Sequence, residues 1–180
     1  MALELNGTTG VSLVQDGVVT AADLASGAIT SAALPTDSIL QVLTSVKSAE
    51  QLVQSTSYTT ITNLSTNITP SSTSSRILIL VNLNLDVYQN SNAPSNYLKR
   101  LTRNGTEIVS KNTDHYAGTA SNGYRSLDGD GTMMFIDSPS TTSLVSYAVQ
   151  LRLTDTSSSR TARVSNGGAD STMIVMELAG

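Results

Sequence analysis

Cysteine and tryptophan are absent from the 180-residue sequence, and phenylalanine occurs once. The lack of cysteine excludes disulfide bonds, thiolate catalysis and cysteine-based zinc sites. Because aromatic residues make up only 4% of the chain, a core must be built from aliphatic side chains, and we expect burial between subunits to supplement it. Charged residues are also sparse, at 13%, and the many Ser and Thr residues favour β structure with a hydroxyl-rich surface.

The charge balance excludes some partners. The net charge is −4, and residues 1–50 hold the whole excess, with five acidic residues against Lys47, whereas residues 51–180 hold nine acids and nine bases. No basic stripe is present, so we expect no nucleic-acid partner. The N-terminus has no apolar run typical of a signal peptide, and the most apolar stretch, Ile77–Leu80, is far too short to span a membrane. We therefore expect folding in the cytoplasm and no membrane insertion.

A ten-residue unit occurs twice in succession, as GVVTAADLAS at 17–26 and GAITSAALPT at 27–36. In each copy Thr stands where a helix N-cap would, ahead of a single turn that carries one Leu. One turn is too short to be stable alone and cannot bury its own Leu, so the unit needs partners, and sister chains offer the same segment. The repeats predict a thin stalk, made by several chains that wind together, over residues 17–37. The alternative is a flexible Ala/Ser/Thr linker that repeats by chance.

The repeats divide the chain into three predicted regions. Residues 1–16 predict a short hairpin, with strands at Leu3–Leu5 and Val11–Val14, which we interpret as an anchoring segment. The stalk at 17–37 follows, and residues 38–180 would form the head domain. At the start of the head, residues 38–53 fit both a heptad and strand alternation. We favour a strand at Leu40–Lys47, with a short trimeric coiled coil as the alternative.

Beyond Tyr58 strand and turn signals recur at intervals of about ten residues. The clearest strand is Arg76–Val87, in which every odd-numbered residue from Ile77 onward is apolar and would face the core. Its other face is apolar only at Leu78 and Leu80, which predicts that another sheet or a neighbouring subunit covers that end. Eight or nine such strands predict an all-β head, an antiparallel β-sandwich of jelly-roll type.

The strand Tyr97–Arg103 has a predicted role at the edge of a sheet. Lys99 and Arg103 would share one of its faces, and exposed cations of this kind protect an edge strand from unwanted pairing. The following Asn104-Gly105 predicts a two-residue hairpin turn into a strand at Thr106–Ser110.

The last third of the chain contains two further strong strand patterns. In Ser146–Leu153 the odd-numbered positions are expected to face the core. In Thr172–Leu178 we expect Glu177 to face outward. The residues expected to face inward there are Ile174, Met176 and Leu178. The stretches Asn112–Gly131 and Thr154–Ala169 are predicted to be irregular.

No group of residues in the sequence predicts catalysis. The only histidine, His115, has no Cys or second His with which to bind a metal, and we interpret it as a solvated loop residue. The segment from Asp128 to Gly131, Asp-Gly-Asp-Gly, could direct two carboxylates at a calcium ion with Asp137 nearby, but turn formation alone explains it. We expect no cofactor, no bound metal ion and no enzymatic activity.

Binding is better supported than catalysis. Four of the six tyrosines lie in or beside the loop-rich middle of the chain, among Asn, Ser and Gly, a composition typical of surfaces that hold sugars or protein loops. These candidate receptor contacts are Tyr88, Tyr97, Tyr116 and Tyr124. The alternative is that they close the ends of the sandwich or lie in a trimer interface.

The repeat, Gly-x-(Val/Ile)-Thr-x-Ala-x-Leu, resembles decapeptides in the tail-fibre and related fibre proteins of tailed bacteriophages. NITPSSTSSRILILV at Asn67–Val81 and STMIVMELAG at Ser171–Gly180 are similar to parts of the β-rich C-terminal domains of the same proteins, whereas Tyr88–Thr132 has no such likeness. The resemblance implies a trimeric stalk and a β-rich head in a virion protein. Such a protein would contact other virion proteins through its N-terminal segment and a host cell-surface glycan or protein through its head.

Three functions are open at this point. The first is a non-enzymatic, homotrimeric tail fibre that attaches the virion to its host. The second is a head fibre or decoration protein of the capsid. The third is a small carbohydrate-binding module or depolymerase, although depolymerase domains are usually much longer. Paired carboxylates for the last could come from Asp114, Asp128, Asp130 or Asp137.

Overall fold

The computed structural model describes residues 5–6, 10–11, 34–89, 95–115, 125–156 and 159–180. The chain divides into two compact units, Met1–Pro35 and Thr36–Gly180. In the first unit β1 (Leu5–Asn6) pairs antiparallel with β2 (Gly10–Val11). The hairpin predicted within residues 1–16 is therefore present, with boundaries different from the predicted ones. The predicted stalk lies outside the described residues except at 34–37.

The second unit is built from β-strands, and the described residues include one 3₁₀ turn, at Asn166–Gly168. The strands are β3 (Ile39–Lys47), β4 (Gln51–Val53), β5 (Thr59–Ile68), β6 (Arg76–Asn82), β7 (Asn84–Gln89), β8 (Ser95–Arg103), β9 (Thr106–His115), β10 (Arg125–Asp130), β11 (Met133–Asp137), β12 (Val145–Leu153), β13 (Thr161–Val164) and β14 (Ser171–Leu178).

These strands form three four-stranded sheets, in the orders β11-β6-β14-β3, β10-β7-β13-β4 and β5-β12-β8-β9. In the first two sheets each position is held by strands that are neighbours in the chain, so β3 corresponds to β4, β6 to β7, β11 to β10 and β14 to β13. They are the two halves of one bent sheet, which we call the split sheet. The third is the continuous sheet.

If each pair of corresponding strands in the split sheet is counted as one long strand, the unit has eight long strands, four in each sheet. Numbered along the chain, their order is 1-8-3-6 in the split sheet and 2-7-4-5 in the continuous sheet, and every pairing is antiparallel. The chain crosses to the opposite sheet after every long strand except at the β8–β9 hairpin. This order is that of an eight-stranded jelly roll, which confirms the predicted all-β antiparallel sandwich.

The split sheet bends where β6 passes into β7. Leu83 separates the two strands, and its backbone N–H and C=O are both bonded to Gly131, at 3.3 and 2.7 Å. Gly131 is buried, and a Cβ there would lie 3.2 Å from the Cβ of Leu83. The single strand predicted from Arg76 to Val87 is therefore interrupted at Leu83. The glycine opposite Leu83 lets these two segments of the chain approach closely at the bend.

Alternation along the strands fills the core with aliphatic side chains. The inward residues Ile77, Ile79, Val81, Leu83, Leu85 and Val87 are each at most 2% exposed, as predicted. The predicted inward set on β12 is confirmed too: Val145, Tyr147, Val149, Leu151 and Leu153. Among the described residues the aromatic side chains of this buried core are Tyr97 and Tyr147.

The prediction for the last strand is wrong about which face points inward. On β14 Glu177 and Val175 are fully buried, whereas Ile174, Met176 and Leu178 lie on the outer face, partly exposed. Both faces of this strand are largely apolar, so alternation alone could not decide between them. The carboxylate of Glu177 faces inward because hydroxyl and amide groups donate hydrogen bonds to it there.

The prediction for β8 is wrong as well. This strand lies between β12 and β9, inside the continuous sheet, and Lys99 on its inner face is only 5% exposed. The long aliphatic stem of a lysine can pack against a core, and the amine of Lys99 lies beside Gly131, 3.2 Å from where a Cβ of that residue would be. Burial, together with the positive charge of Lys111, lowers the pKa of Lys99.

Several boundaries also differ from the predicted ones. Residues 38–53 contain β3 and β4, and β3 is paired to β14, so the coiled-coil alternative is excluded. The strand β5 runs through Asn63 without a break, although that residue has a positive φ of 63°. The predicted irregular stretches contain β10, β13 and the end of β9. Their polar sequences give no strand signal, because these strands are fixed by pairing with their neighbours. For example, β13 lies between β7 and β4.

The bend makes a testable prediction. We expect Gly131→Val to lower the free energy of unfolding by about 1–3 kcal/mol, because overpacking a filled site costs that much. Urea unfolding followed by circular dichroism measures the change. Thr132→Val, at the exposed neighbouring position, is the control and should change stability by less than about 0.5 kcal/mol. Equal unfolding midpoints for Gly131→Val and the wild type would contradict the requirement for glycine.

Candidate functional site

The structure locates two of the four tyrosines predicted to contact a receptor. Tyr97 lies in β8 and is 2% exposed, so its ring belongs to the core and does not reach a receptor. The backbone of Tyr88 lies in β7, opposite Thr161, and its side chain is outside the described atoms. Tyr116 and Tyr124 lie outside the described residues. Of the four, Tyr97 is not kept as a candidate.

The residues considered for chemistry are placed differently from the predicted loops. The backbone of His115 ends β9 opposite Ser95, and Asp128 and Asp130 belong to β10, a paired strand and not a turn. Among the described residues no group of three or more His, Asp or Glu side chains is placed to hold a metal ion. In the same part of the chain no helix is long and apolar enough to cross a membrane.

Asp137, the third carboxylate considered for calcium, is bound by protein donors. Its two oxygens each accept a bond of 3.0 Å from Nη1 of Arg103, and Oδ2 also accepts the hydroxyl of Tyr147 at 2.6 Å. Burial and the neighbouring carboxylate both raise the pKa of Tyr147, so it remains a donor. This cluster ties β11, β8 and β12 together across the two sheets. Its role is structural, since a buried tyrosine hydroxyl needs a partner.

Glu177 is the centre of a second buried cluster. Its Oε1 accepts bonds from the backbone N–H of Ser71 at 2.6 Å, from the hydroxyl of Ser71 at 2.7 Å and from the hydroxyl of Ser75 at 2.6 Å. Its Oε2 accepts a bond of 2.5 Å from the amide of Gln41. Burial pushes the pKa of Glu177 up, but these donors outweigh it, so the pKa lies below its ordinary value. The serine-rich loop before β6 is thereby held against β14.

Glu177→Gln tests this cluster. We expect a free energy of unfolding lower by about 1.5–3 kcal/mol at pH 7, because several bonds to a charged acceptor are lost. Since the folded pKa is depressed, the carboxylate stabilises the fold above its unfolded pKa of about 4.3, and that contribution disappears as pH falls through the folded value. The difference between variant and wild type should therefore shrink at pH 3.

The control is Glu107→Gln, which alters a carboxylate that is 40% exposed. A surface charge of this kind should contribute about 0.5 kcal/mol or less. Urea unfolding at several pH values measures both variants. A Glu177→Gln protein as stable as the wild type at pH 7, or a difference that persists unchanged in acid, would contradict the account.

The outer face of the continuous sheet carries a connected polar surface, which we call the polar platform. Gln150 is its central link: its amide donates to the hydroxyl of Thr60 at 3.0 Å, and its carbonyl accepts from Nε of Arg100 at 2.7 Å. Arg100 also donates to Glu107 at 3.1 Å. The network thus crosses the sheet from β5 through β12 and β8 to β9.

Tyr58 lies at one end of the polar platform. The guanidinium of Arg100 stacks over its ring, 3.8 Å from the centroid, and that of Arg152 lies at 5.2 Å. Hydrogen bonds from the side chains of Ser110 and Arg100 hold the pKa of Glu107 below its ordinary value. Alternation along β12 predicts that Gln150 and Arg152 face outward, but no sequence pattern indicates Tyr58, because its contacts come from strands distant in sequence. The platform presents an aromatic ring, two guanidinium groups, an amide and a carboxylate in fixed positions.

The outer face of the half of the split sheet formed by β11, β6, β14 and β3 has the opposite character, and we call it the apolar face. Directly opposed residues on paired strands point to the same side, so the register aligns two rows across all four strands. One row consists of Ile136, Leu78, Met176 and Val42, and the other of Met134, Leu80, Ile174 and Thr44. The rows contain no charged side chain.

The apolar face is open at both edges of its sheet. Met134 and Ile136 on β11 are 67% and 49% exposed, and Val42 on β3 is 51% exposed. Charge occurs only at the rim, where Arg76 pairs with Asp37. The sequence pattern predicts that another sheet or subunit packs on the outer side of Leu78 and Leu80 alone. The structure extends that apolar area to four strands.

The comparisons with known proteins leave the family undetermined. No protein-family model matches the chain, and neither does any curated protein. The chain is similar to the infectious bursal disease virus VP2 subviral particle over 81% of its own length and 34% of the VP2 chain, at 15% identity and a TM-score of 0.44. It therefore spans about a third of that chain.

Two further solved structures are more distant. The dimeric latent PorU from Porphyromonas gingivalis is similar over 81% of this chain and 14% of its own, at 11% identity and a TM-score of 0.34. T=1 particles derived from infectious bursal virus match over 81% and 37%, at 14% identity and a TM-score of 0.31. At these scores the likeness is no argument about this chain, and its jelly roll is defined by the strand order alone.

Proposed function

We propose that this chain is a non-enzymatic structural protein of a bacteriophage virion, a homotrimeric tail fibre whose head attaches the particle to the host surface. The observation that carries the proposal is the tandem decapeptide, which leads through Pro35 and three residues into an eight-stranded jelly roll. Units too small to bury their own leucine need sister chains, and a jelly roll is an architecture found in viral capsid and lectin domains. The N-terminal segment, residues 1–16, would contact other virion proteins.

A structural role agrees with how the acids of the head are used. The carboxylates of Glu177 and Asp137 are engaged by hydroxyl, amide and guanidinium donors that tie strands together. The lowered pKa of Glu177 keeps that carboxylate in its charged, acceptor form, so it is not poised to transfer a proton. The protein would therefore act by binding alone, without a cofactor, nucleic acid or membrane insertion.

The polar platform is the surface that best fits a host glycan or protein loop. Aromatic rings and guanidinium groups provide stacking faces, and amides and carboxylates bind hydroxyls. The hydrogen bonds of Gln150 and Arg100 fix these groups before a ligand arrives, which reduces the entropy lost on binding. Tyr88, Tyr116 and Tyr124 remain candidate contacts.

The assembly can be tested on the full-length chain. We expect size-exclusion chromatography with light scattering to give the mass of three chains, because the repeats need sister chains to bury their leucines. A stable monomer would overturn the proposal. Replacing Leu24 and Leu34 together by Ser should weaken the trimer, and the matched control is Leu144→Ser, which changes an exposed leucine of the head.

The position on the virion is tested by imaging particles labelled with an antibody against the head. Label at the tail tip supports the tail fibre, whereas label over the capsid shell would identify a head fibre or decoration protein. Particles without label would exclude a virion component. A polysaccharide-clearing assay that gave a clear zone would overturn the non-enzymatic role.

The receptor surface makes a separate prediction. We expect Arg152→Ala and Tyr58→Ala each to weaken binding of the purified protein to host cells by roughly tenfold, the effect of removing a central contact. Flow cytometry with fluorescently labelled protein measures the change. Thr132→Ala, outside the polar platform, is the control. Unchanged binding of both platform variants would exclude this surface as the receptor contact.

A further inference from the structure

The size of the apolar face is a first clue to its occupant. Four strands spaced by about 4.8 Å and two rows, each two residue steps of about 3.4 Å deep, give a flat area of roughly 260 Å². That is slightly below the roughly 300–600 Å² of the largest apolar patch on an ordinary monomer, which is often functional. It is also about a third of the roughly 800 Å² that each partner buries in a standard interface. Alone, such a patch supports only weak association.

The chemistry of the apolar face suits a partner with the same surface. Its two rows hold seven apolar side chains and Thr44, without a charge. Three copies that turn this face towards a shared three-fold axis therefore bring no like charges together and leave no ion buried without a partner. The paired charges of Arg76 and Asp37 stay at the rim, the arrangement usual in protein interfaces, where the centre is apolar and the periphery polar.

Chain connectivity supplies the missing affinity. β3, which forms one edge of the apolar face, begins at Ile39, four residues after Pro35. This step rests on the proposed function: if residues 17–36 join three chains, the copies of β3 are tethered close together at an effective concentration in the millimolar range. At that concentration a weak patch of roughly 260 Å² suffices. Ile39 and Val46, both on β3, are also about half exposed, at 56% and 49%.

We infer that the apolar face is the contact between the head domains of neighbouring copies of this chain. The sandwich would then add a second interface to that of the repeats. The burial between subunits that is expected to supplement a core poor in aromatic side chains would occur at Met134, Ile136 and Val42.

Because the chain contains no cysteine, single thiols can report on this contact. The experiment measures the rate of alkylation by a small maleimide for Val42→Cys, Met134→Cys and the control Leu144→Cys in the full-length protein. In an isolated head the three positions are comparably open, at 51%, 67% and 61% exposure. In the assembly we expect the first two to react roughly tenfold more slowly than the control, since alkylation requires an accessible thiolate.

The outcomes separate this inference from the proposed function. A trimer in which all three thiols react equally fast would overturn the inference and leave the fibre proposal standing, whereas a monomeric wild-type protein would overturn the fibre proposal. Fast reaction in the purified trimer with protection only on the virion would also overturn the inference, in favour of another virion protein as the occupant. Slow reaction of the Val42→Cys and Met134→Cys thiols in the purified trimer supports it.

A second variant tests the energetics without relying on thiols. Val42→Lys combined with Met134→Lys places like charges at the contact, and both sites are exposed on the single chain, so folding should be retained. We expect the protein concentration at half-dissociation to rise by roughly tenfold or more, as two desolvated lysines oppose docking. Leu144→Lys is the matched control. An unchanged dissociation profile of the double variant would overturn the inference.

Discussion

A single aliphatic core has to hold all eight long strands of the jelly roll, and it can do so only if every strand contributes each second side chain to it. The described inward positions of β6, β7 and β12 are Ile, Leu or Val apart from Tyr147, whereas β3, β8 and β14 also bury Lys47, Lys99 and Glu177. Because bulky rings are scarce, Tyr147 has to fill part of the volume, and its hydroxyl then requires an acceptor. Asp137 and, through it, Arg103 are drawn into the structure for that reason.

Alternation is also what made much of the fold predictable from sequence. Where one face of a strand is polar, as at Gln150 and Arg152 on β12, the inward face follows directly. Where both faces are apolar the pattern is ambiguous, and the inward face predicted for β14 is the wrong one. The deciding residues, Ser71 and Ser75, lie in a loop far away in sequence, and only their donation to Glu177 makes an inward carboxylate tolerable. Such non-local compensation leaves no mark in the local pattern.

The candidate surfaces were predictable to different degrees. The outward apolar residues Leu78 and Leu80 already indicated a covered patch, because nothing in a solvated strand requires them. Its extension to Met134 depends on pairing between β6 and β11, which sequence cannot show. The polar platform was missed, since stacking of Arg100 on Tyr58 joins strands that are adjacent only in the folded sheet. The tyrosines of the polar middle region are a misleading signal for a binding surface. Tyr97 shows that a strand can carry a tyrosine from a polar region into the core.

The outer faces of a two-sheet sandwich point in opposite directions, so their contrasting chemistry gives the head a direction. Any partner that covers the apolar face leaves the polar platform on the far side, where a ligand can reach it. The reverse arrangement would bury Arg100, Arg152 and Glu107 and would leave the seven apolar side chains in water, and both changes are unfavourable. The polarity of the two sheets therefore orients the head in an assembly even before the repeats are considered. β3 adds to this orientation, because the strand that enters the head from Pro35 is also an edge of the apolar face, which places the tether and the apolar contact on the same strand.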